Sequence, residues 1–195
     1  MNPAEFRVPP NCPSIVVMGV AGCGKSSLGA ALAQSLGWPL VEGDDYHPPA
    51  NVARMRAGTP LTDADRAGWL DALGVALQQH QPPQAAGAVL TCSALKAAYR
   101  ERLRAAAPGL AFVHLTLSRE AARARVAQRA GGHYFNPALV DSQFDTLQPP
   151  AGEPRVLTLD ATQPLASLTA AVQQWLAAGL PKAPSTGGAP ASQES

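Results

Sequence analysis

The chain contains the sequence Gly19-Val20-Ala21-Gly22-Cys23-Gly24-Lys25-Ser26, which has the form G-x-x-x-x-G-K-[ST]. Glycines at these positions let successive backbone N–H groups approach an anion, where a Cβ atom would block them. An apolar run, 14–18, precedes the loop and predicts a strand, and leucines at helical spacing follow it and predict a helix. A strand, a glycine-rich loop and a helix N-terminus in this order favour a site for the phosphates of a nucleotide.

Each residue type in this loop has an expected role. Lys25 would reach the β- and γ-phosphates, and the Ser26 hydroxyl would occupy one coordination position on Mg²⁺. The alternative interpretation is a glycine-rich turn without a ligand. The predicted nucleotide-binding residues are Gly19, Val20, Ala21, Gly22, Cys23, Gly24, Lys25, Ser26 and Ser27.

Composition limits the class of protein. The chain has 195 residues, of which 46% are hydrophobic and 15% charged, and this suits one globular domain. The net charge of +1 is not the strongly basic balance of a nucleic-acid binder. The three cysteines, Cys12, Cys23 and Cys92, lack metal-ligand spacing and are odd in number, so we expect neither a disulfide framework nor a zinc site. A cytoplasmic protein without membrane association is the expectation.

Strands and helices are predicted to alternate along the chain, which favours an α/β fold with a parallel sheet covered on both faces. The predicted strands are 14–18, 38–41, 88–92, 110–116 and 154–159. Helices are expected after the loop up to Gly37, over 51–57, from a capping box at Thr62, from near Ser93, after Ser118, and over 138–147 and 164–176. We expect a flexible N-terminus at 1–12, one domain at 13–180, a helical lobe at about 46–82, and a disordered tail at 181–195.

Carboxylates follow the second predicted strand in the sequence Glu42-Gly43-Asp44-Asp45. Ligands of open parallel sheets bind at the carboxyl ends of the strands, so this turn is expected near the phosphate loop. Asp44 is the candidate for orienting an acceptor hydroxyl and taking its proton, and Glu42 is the candidate for holding Mg²⁺ through water. Asp45 could instead cap the next turn, and the whole segment could be an acidic surface turn.

Cations suited to phosphate chemistry occur in a predicted helix that leads to Gly131-Gly132. Arg125 and Arg129 lie one helical turn apart, so they share a face and could neutralise charge on a transferred phosphoryl group from a lid at about 125–137. Arg119 and Arg123 form a parallel pair, and an arginine-rich helix is also common as a solvated face. Lys96 follows the third strand and could bind an anionic acceptor.

Several blocks in the same order resemble the signature of gluconokinases, in the group of P-loop small-molecule kinases. The resemblance runs from about residue 15 to 171. The blocks are Gly43-Asp44-Asp45-Tyr46-His47-Pro48, Ala57-Gly58-Thr59-Pro60-Leu61 with Asp65-Arg66, Cys92-Ser93-Ala94-Leu95-Lys96, His133-Tyr134-Phe135 and Ser142-Gln143-Phe144. The resemblance implies ATP-dependent phosphorylation of D-gluconate on its 6-hydroxyl, giving 6-phospho-D-gluconate. It also implies a three-layer P-loop kinase sandwich with about five parallel strands, similar to shikimate and adenylate kinases, and it suggests a homodimer.

The motif and the same resemblance together suggest residue roles, and the individual substrate contacts are our inference from the matched blocks. Lys25, Asp44, Arg125 and Arg129 match catalytic positions, and the expected substrate-binding residues are Asp44, His47, Arg54, Lys96, Arg100 and His133. Two departures concern Glu42, where the family commonly has aspartate, and the segment between Arg129 and His133, which is one residue longer. The alternatives are a P-loop kinase with a shikimate-like or adenylylsulfate-like acceptor and a non-catalytic ATP-binding regulator.

Overall fold

The computed structural model describes residues 14–81, 86–128 and 138–180. Its strands are β1 (Ile15–Met18), β2 (Leu40–Glu42), β3 (Val89–Thr91), β4 (Ala111–Thr116) and β5 (Val156–Asp160). Its helices are α1 (Lys25–Leu36), α2 (Pro49–Arg56), α3 (Asp63–Gln79), α4 (Ala97–Ala106), α5 (Arg119–Gln128), α6 (Leu139–Thr146) and α7 (Leu165–Ala177). A short 3₁₀ turn, Gly43–Tyr46, connects β2 to the segment before α2.

The five strands form one parallel sheet in the order β2-β3-β1-β4-β5. At least one helix follows each strand. Between two strands, the helix returns the chain to the amino-terminal ends of the strands, so that the next strand can run in the same direction. All carboxyl ends of the strands therefore meet at one edge of the sheet. The predicted α/β fold with about five parallel strands is confirmed.

The side chains of β1 alternate between two buried layers. Ile15 and Val17 pack in a cluster with residues of α1 and α7, whereas Val16 and Met18 pack in a second cluster with residues of α3 and α4. Because both faces of the strand are buried, its sequence is a continuous apolar run rather than an alternating one. Helices thus cover both faces of the sheet, as expected for a three-layer sandwich.

Three helix boundaries agree with local sequence signals. Gly37 ends α1 in the left-handed conformation, with φ of 66°. Thr62 and Asp65 form a capping box at the start of α3, in which Asp65 N–H donates to Thr62 Oγ1 at 3.2 Å and Thr62 N–H donates to Asp65 Oδ2 at 2.9 Å. Ser118 Oγ accepts from Ala121 N–H at 3.2 Å at the start of α5. These caps satisfy backbone groups that would otherwise lack partners.

The predicted start of the fourth helix, near Ser93, was wrong. The helix begins at Ala97, because Ala94 has φ of 43° and Lys96 is extended. The carbonyl oxygens of Ala94 and Leu95 accept hydrogen bonds from Arg100 Nη1 at 2.9 Å and 3.1 Å. This side-chain contact holds the segment outside the helix.

No helix within 14–81, 86–128 or 138–180 has the length and apolar character needed to cross a bilayer. The predicted flexible N-terminus at 1–12 and tail at 181–195 lie outside the described residues, and the domain limits 13–180 stay predictions.

Candidate active site

The phosphate loop connects β1 to α1, as predicted. Gly19 has φ of 139°, and a Cβ atom there would lie 2.6 Å from the carbonyl oxygen of Leu115 on β4. Gly24, at the N-cap of α1, has φ of 95°, a conformation that other residues rarely adopt. The loop therefore bends tightly against β4 and presents the N-terminus of α1 to the carboxyl edge of the sheet, where an anion is stabilised.

Lys25 is the first residue of α1 and is half-buried. Its Nζ donates to the carbonyl oxygen of Val20 at 3.2 Å, so the ammonium lies back over the loop. Burial raises the pKa of the Cys23 thiol, although the charge of Lys25 acts in the opposite direction. The loop thus contains one cation and a protonated thiol, which suits polyphosphate binding.

The carboxylate of Glu42 joins three parts of the sheet edge. It accepts from the hydroxyl of Ser26 at 3.2 Å, and it also accepts from the hydroxyl of Thr91 on β3. β3 lies between β1 and β2 in the sheet, so Glu42 links Ser26, at the end of the phosphate loop, to Thr91 on the central neighbour.

Ser26 and Glu42 offer oxygen ligands of the kind that Mg²⁺ prefers. Within the described residues, no three His, Cys, Asp or Glu side chains come together in a way that could hold a metal ion. Such a site fits Mg²⁺, which commonly takes one or two protein oxygens together with phosphate oxygens and water. It would not suit a cation that needs a full cage of protein ligands.

A cavity of about 390 Å³ opens beside the loop and brings the two predicted halves of the site together. Charged and polar side chains from distant segments line it, namely Lys25, Glu42, Asp44, His47, Arg66 and Gln143. Met55, Leu61 and Leu139 supply apolar wall. Asp44 is exposed on the 3₁₀ turn and faces this cavity, as does its neighbour Asp45. The candidate phosphate-binding groups and the candidate general base therefore line one space.

His47 is buried at the cavity wall and stacks on Trp69, with ring centroids 4.2 Å apart and planes 13° apart. Burial lowers the pKa of His47 to about 4, with Arg66 acting in the same direction and Asp44 against it. Its Nδ1 atom is buried without a hydrogen-bond partner. A neutral imidazole at the cavity wall can exchange a hydrogen bond with a substrate hydroxyl.

Arg66 was not among the predicted site residues, although it lies in a block that carries the family resemblance. It lines the cavity from α3 and is half-buried. Within the part of the chain that the structure describes, its guanidinium has no salt bridge or hydrogen bond. Arg66 is therefore available to bind an anionic group of a substrate.

Two predicted substrate-binding cations are held in other contacts. Arg54 Nη1 lies 3.1 Å from Asp65 Oδ2. Lys96 Nζ donates to both carboxylate oxygens of Asp63, at 2.7 Å and 2.8 Å. Neither side chain lines the cavity. The arrangement favours supporting roles for both, at the ends of the helices that surround the site.

Arg100 is completely buried. Its Nε donates to both carboxylate oxygens of Glu153, its Nη2 contacts the same carboxylate, and its Nη1 holds the carbonyls of Ala94 and Leu95. Burial alone would raise the pKa of Glu153, but the hydrogen bonds from Arg100 and Arg104 lower it. The guanidinium of Arg100 thus stabilises the loop after β3 from inside the protein.

Arg125 lies on the other side of the phosphate loop. Its Nη1 donates to Gly22 O at 3.4 Å and its Nη2 donates to Ala161 O at 3.1 Å. A second cavity of about 320 Å³ lies there, lined by Arg125, Gly24, Ala161 and Gln163. This position suits the base and sugar of a nucleotide whose phosphates lie on the loop. Arg129 and His133 are outside the described residues.

Gln143 was also missed as a site residue. It lies on α6, half-buried at the cavity, and its Oε1 accepts from Ala21 N–H in the phosphate loop at 2.7 Å. Asp141, which lies on α6 like Gln143, forms salt bridges with the parallel pair Arg119 and Arg123 of α5. Only the placement of Gln143 within a motif that resembles the family pointed to it from sequence.

The chain is similar to several known proteins. Residues 15–150 match the family model described as an AAA domain. The chain is 48% identical over 143 residues to the gluconokinase of Gluconobacter oxydans (strain 621H), covering 73% of this chain and 79% of that protein. It is 39% identical over 156 residues to the thermoresistant gluconokinase of Escherichia coli (strain K12), covering 80% and 88%. The structure of a gluconokinase from Sinorhizobium meliloti 1021 superposes with a TM-score of 0.77 at 45% identity, covering 88% of this chain and 94% of that one. With these relatives and a phosphate loop facing an acidic turn, the chain belongs to the gluconokinase family.

Proposed function

We propose that this protein transfers the γ-phosphoryl group of ATP to the 6-hydroxyl of D-gluconate, giving 6-phospho-D-gluconate and ADP. The observation that carries the proposal is the single cavity lined by Lys25 and Ser26 on one side and by Asp44 and Arg66 on the other. A donor phosphate and an anionic acceptor can meet there. The identity to named gluconokinases supports gluconate as the acceptor.

ATP would bind with its phosphates on the backbone of residues 19 to 27 and its base in the second cavity beside Arg125. Ser26 and Glu42 would hold Mg²⁺, directly or through water, and the bound ion would neutralise charge on the β- and γ-phosphates. Lys25 would bind the same phosphates from the loop side. The contacts of Arg125 with Gly22 and Ala161 favour a role in holding the nucleotide. A charge-neutralising role for Arg129 stays a prediction.

Asp44 would orient the acceptor hydroxyl and take its proton as the new phosphate ester bond forms. The neutral ring of His47, at the cavity wall, would bind a second hydroxyl of the sugar acid. Its stacking on Trp69 fixes the plane of the ring. A substrate role for His133 stays a prediction.

Arg66 would bind the carboxylate of gluconate. Guanidinium groups bind carboxylates with two parallel hydrogen bonds, and this one has no acceptor among the described residues. The polyol chain would then extend from Arg66 toward Asp44, across an apolar wall formed by Met55 and Leu61. The end of the substrate opposite its carboxylate would then lie near the phosphates.

The decisive experiment measures ADP release by the purified protein with Mg-ATP and a set of acceptors: gluconate, shikimate, AMP and adenylylsulfate. We expect gluconate-dependent turnover and transfer to the 6-hydroxyl. Absence of gluconate-dependent ADP release would overturn the proposal. ATP binding with no turnover on any acceptor would instead indicate a nucleotide-binding regulator.

The role of Arg66 is tested by Arg66→Met. Loss of a charge-assisted contact should raise KM for gluconate by about 10- to 100-fold, with little change in KM for ATP. Arg102→Met is the matched control, because Arg102 is exposed and pairs with Asp71 away from the cavity. An unchanged KM for gluconate in Arg66→Met would remove this residue from the acceptor site.

A homodimer in the cytoplasm is part of the proposal and rests on the family relationship alone. Sedimentation at micromolar concentration should give a mass twice that of the chain.

A further inference from the structure

Gln143 is attached to the phosphate loop by one specific hydrogen bond. Its Oε1 accepts from Ala21 N–H at 2.7 Å, although the two residues are 122 positions apart. Leu139 and Val140 are buried and anchor α6, and Arg119 and Arg123 of α5 pair with Asp141. The helix that carries Gln143 is therefore fixed in place, so that its side chain reaches the loop from a defined position.

The peptide group between Val20 and Ala21 is held at both ends. Its N–H donates to Gln143, while its carbonyl oxygen accepts from Lys25 Nζ at 3.2 Å and from Cys23 N–H at a longer 3.4 Å. A trans peptide is planar, with N–H and C=O pointing in opposite directions, so the orientation of one group determines the orientation of the other. The hydrogen bond from Ala21 to Gln143 thus sets the direction of the oxygen that holds the lysine.

We propose that Gln143 is a positioning residue that fixes the Val20–Ala21 peptide and, through it, the ammonium of Lys25. This inference rests on the proposed kinase function, because it assigns Gln143 to the step in which Lys25 contacts the transferred phosphate. Without the acceptor oxygen of Gln143, only the long hydrogen bond from Cys23 N–H orients the peptide, so Lys25 is held less firmly. The N–H of Ala21 would also be left without a protein acceptor.

A neutral acceptor suits this position. A glutamate would also accept from Ala21 N–H, but it would place a negative charge in the cavity that receives the phosphates. Glutamine provides the same oxygen at the same distance without that repulsion. Geometry and charge at this position can therefore be separated by two substitutions.

The test compares Gln143→Leu and Gln143→Glu with Gln148→Leu. Gln148 is a matched control, because its Oε1 accepts a backbone N–H in the same way, from Ala97 at 2.8 Å, away from the phosphate loop. The measurements are hydrogen exchange of the Ala21 amide in the nucleotide-free protein, kcat with gluconate, and KM for ATP.

Gln143→Leu should speed exchange of the Ala21 amide and lower kcat about tenfold, the effect of losing one ordinary hydrogen bond from the transition-state geometry. Gln143→Glu should keep the exchange slow and instead raise KM for ATP. Gln148→Leu should change none of the three. This division between exchange, kcat and KM is not expected from general destabilisation.

Wild-type exchange and wild-type kcat in Gln143→Leu would overturn the inference. Fast exchange at Ala21 in Gln143→Glu, which has the size of the native side chain, would overturn it as well. If the wild-type protein phosphorylates no acceptor, the proposed function fails, but exchange at Ala21 and the affinity for ATP still decide the role of Gln143.

Discussion

Among single residues, the proposed chemistry depends most on Asp44. Asp44→Asn keeps the shape of the side chain but cannot take a proton, so kcat should fall by roughly 10²–10⁴. ATP should still bind with nearly the same affinity, because the phosphate loop is unchanged. Steady-state kinetics and a nucleotide titration measure the two effects.

The control for this variant is Asp71→Asn, which removes an exposed carboxylate that pairs with Arg102 on the outer face of α3. It should keep wild-type kinetics. Unchanged turnover in Asp44→Asn would contradict a role for Asp44 in orienting or deprotonating the acceptor.

His47 should make the stability of the protein depend on pH. Burial lowers its pKa to about 4 in the folded state, whereas a histidine in an unfolded chain titrates near 6.5. Between these values the unfolded chain binds a proton that the folded chain does not. The free energy of unfolding should therefore fall as the pH is lowered from about 6.5 toward 4.

The comparison for this prediction is His47→Gln, which cannot titrate. Urea unfolding at pH 7.5 and pH 5.0 should show a smaller loss of stability in the variant than in the wild-type chain. Burial also lowers the pKa of His114, so we expect both proteins to keep part of the dependence of stability on pH. Equal losses in the two proteins would show that protonation of His47 does not oppose folding.

The sequence indicated the kind of chemistry at the site more accurately than it indicated which residues line the site. The phosphate loop and Asp44 were predicted because a local motif and the end of a strand define them. Arg66 and Gln143 were missed, since their importance comes from contacts with segments far along the chain. Arg100 was predicted to bind substrate, but it is buried inside the protein. Its partner there, Glu153, is 53 positions away, so no local pattern indicated the contact.

At the scale of elements, the 3₁₀ turn that carries Asp44 depends on Gly43. A Cβ atom on Gly43 would lie 2.2 Å from the carbonyl oxygen of Thr91, which is backbone and cannot move aside. Trp69 Nε1 also donates to Gly43 O at 2.7 Å and helps to hold the turn. Gly43→Ala should lower the free energy of unfolding by about 1–3 kcal/mol and reduce kcat by displacing Asp44.

Gly68→Ala on α3 is the matched control, because a Cβ atom there meets nothing within 4 Å. Alanine favours a helix interior, so this variant should be more stable by about 0.5–1 kcal/mol and keep its activity. Chemical denaturation of both variants separates the contact at Gly43 from the general effect of replacing glycine. A Gly43→Ala protein with wild-type stability would show that β2 and β3 can separate without cost.

The elements that local signals define were predicted well. α1, with Gly37 behind it, and α3, with its capping box, obey rules that act within a few residues. The start of α4 was not predictable in this way. Leu95 continues the apolar spacing of that helix. However, the Arg100 guanidinium donates to the carbonyl oxygens of Ala94 and Leu95, and this contact keeps Leu95 outside the helix.

At the scale of the whole molecule, the order of the strands determines which loops meet. The sequence predicted that the carboxyl ends of parallel strands would share an edge, and this is how the acidic turn was assigned to the site. It did not predict that β3 would lie between β1 and β2. Strand order is set by packing across the full sheet, so the bridge from Ser26 through Glu42 to Thr91 became visible only in the folded chain.

The predicted limits of the domain can be tested by truncation. Helix α7 buries Val172 and Leu176 completely, and Leu180 still packs partly against the same cluster. A chain that ends at Leu180 keeps these contacts, so it should have the kcat, KM and melting temperature of the full chain. A chain that ends at Ala171 lacks two buried side chains, each worth roughly 2–5 kcal/mol.

That loss is comparable with the total stability of a typical domain, about 5–15 kcal/mol, so the shorter chain should fail to fold. Circular dichroism and the gluconate assay distinguish the two truncations. A lower melting temperature on removing 181–195 alone would mean that this segment packs on the domain. That outcome would contradict the disorder predicted from its low apolar content. A lower kcat with an unchanged melting temperature would instead place the segment near the nucleotide or the acceptor, and the domain would then extend past residue 180.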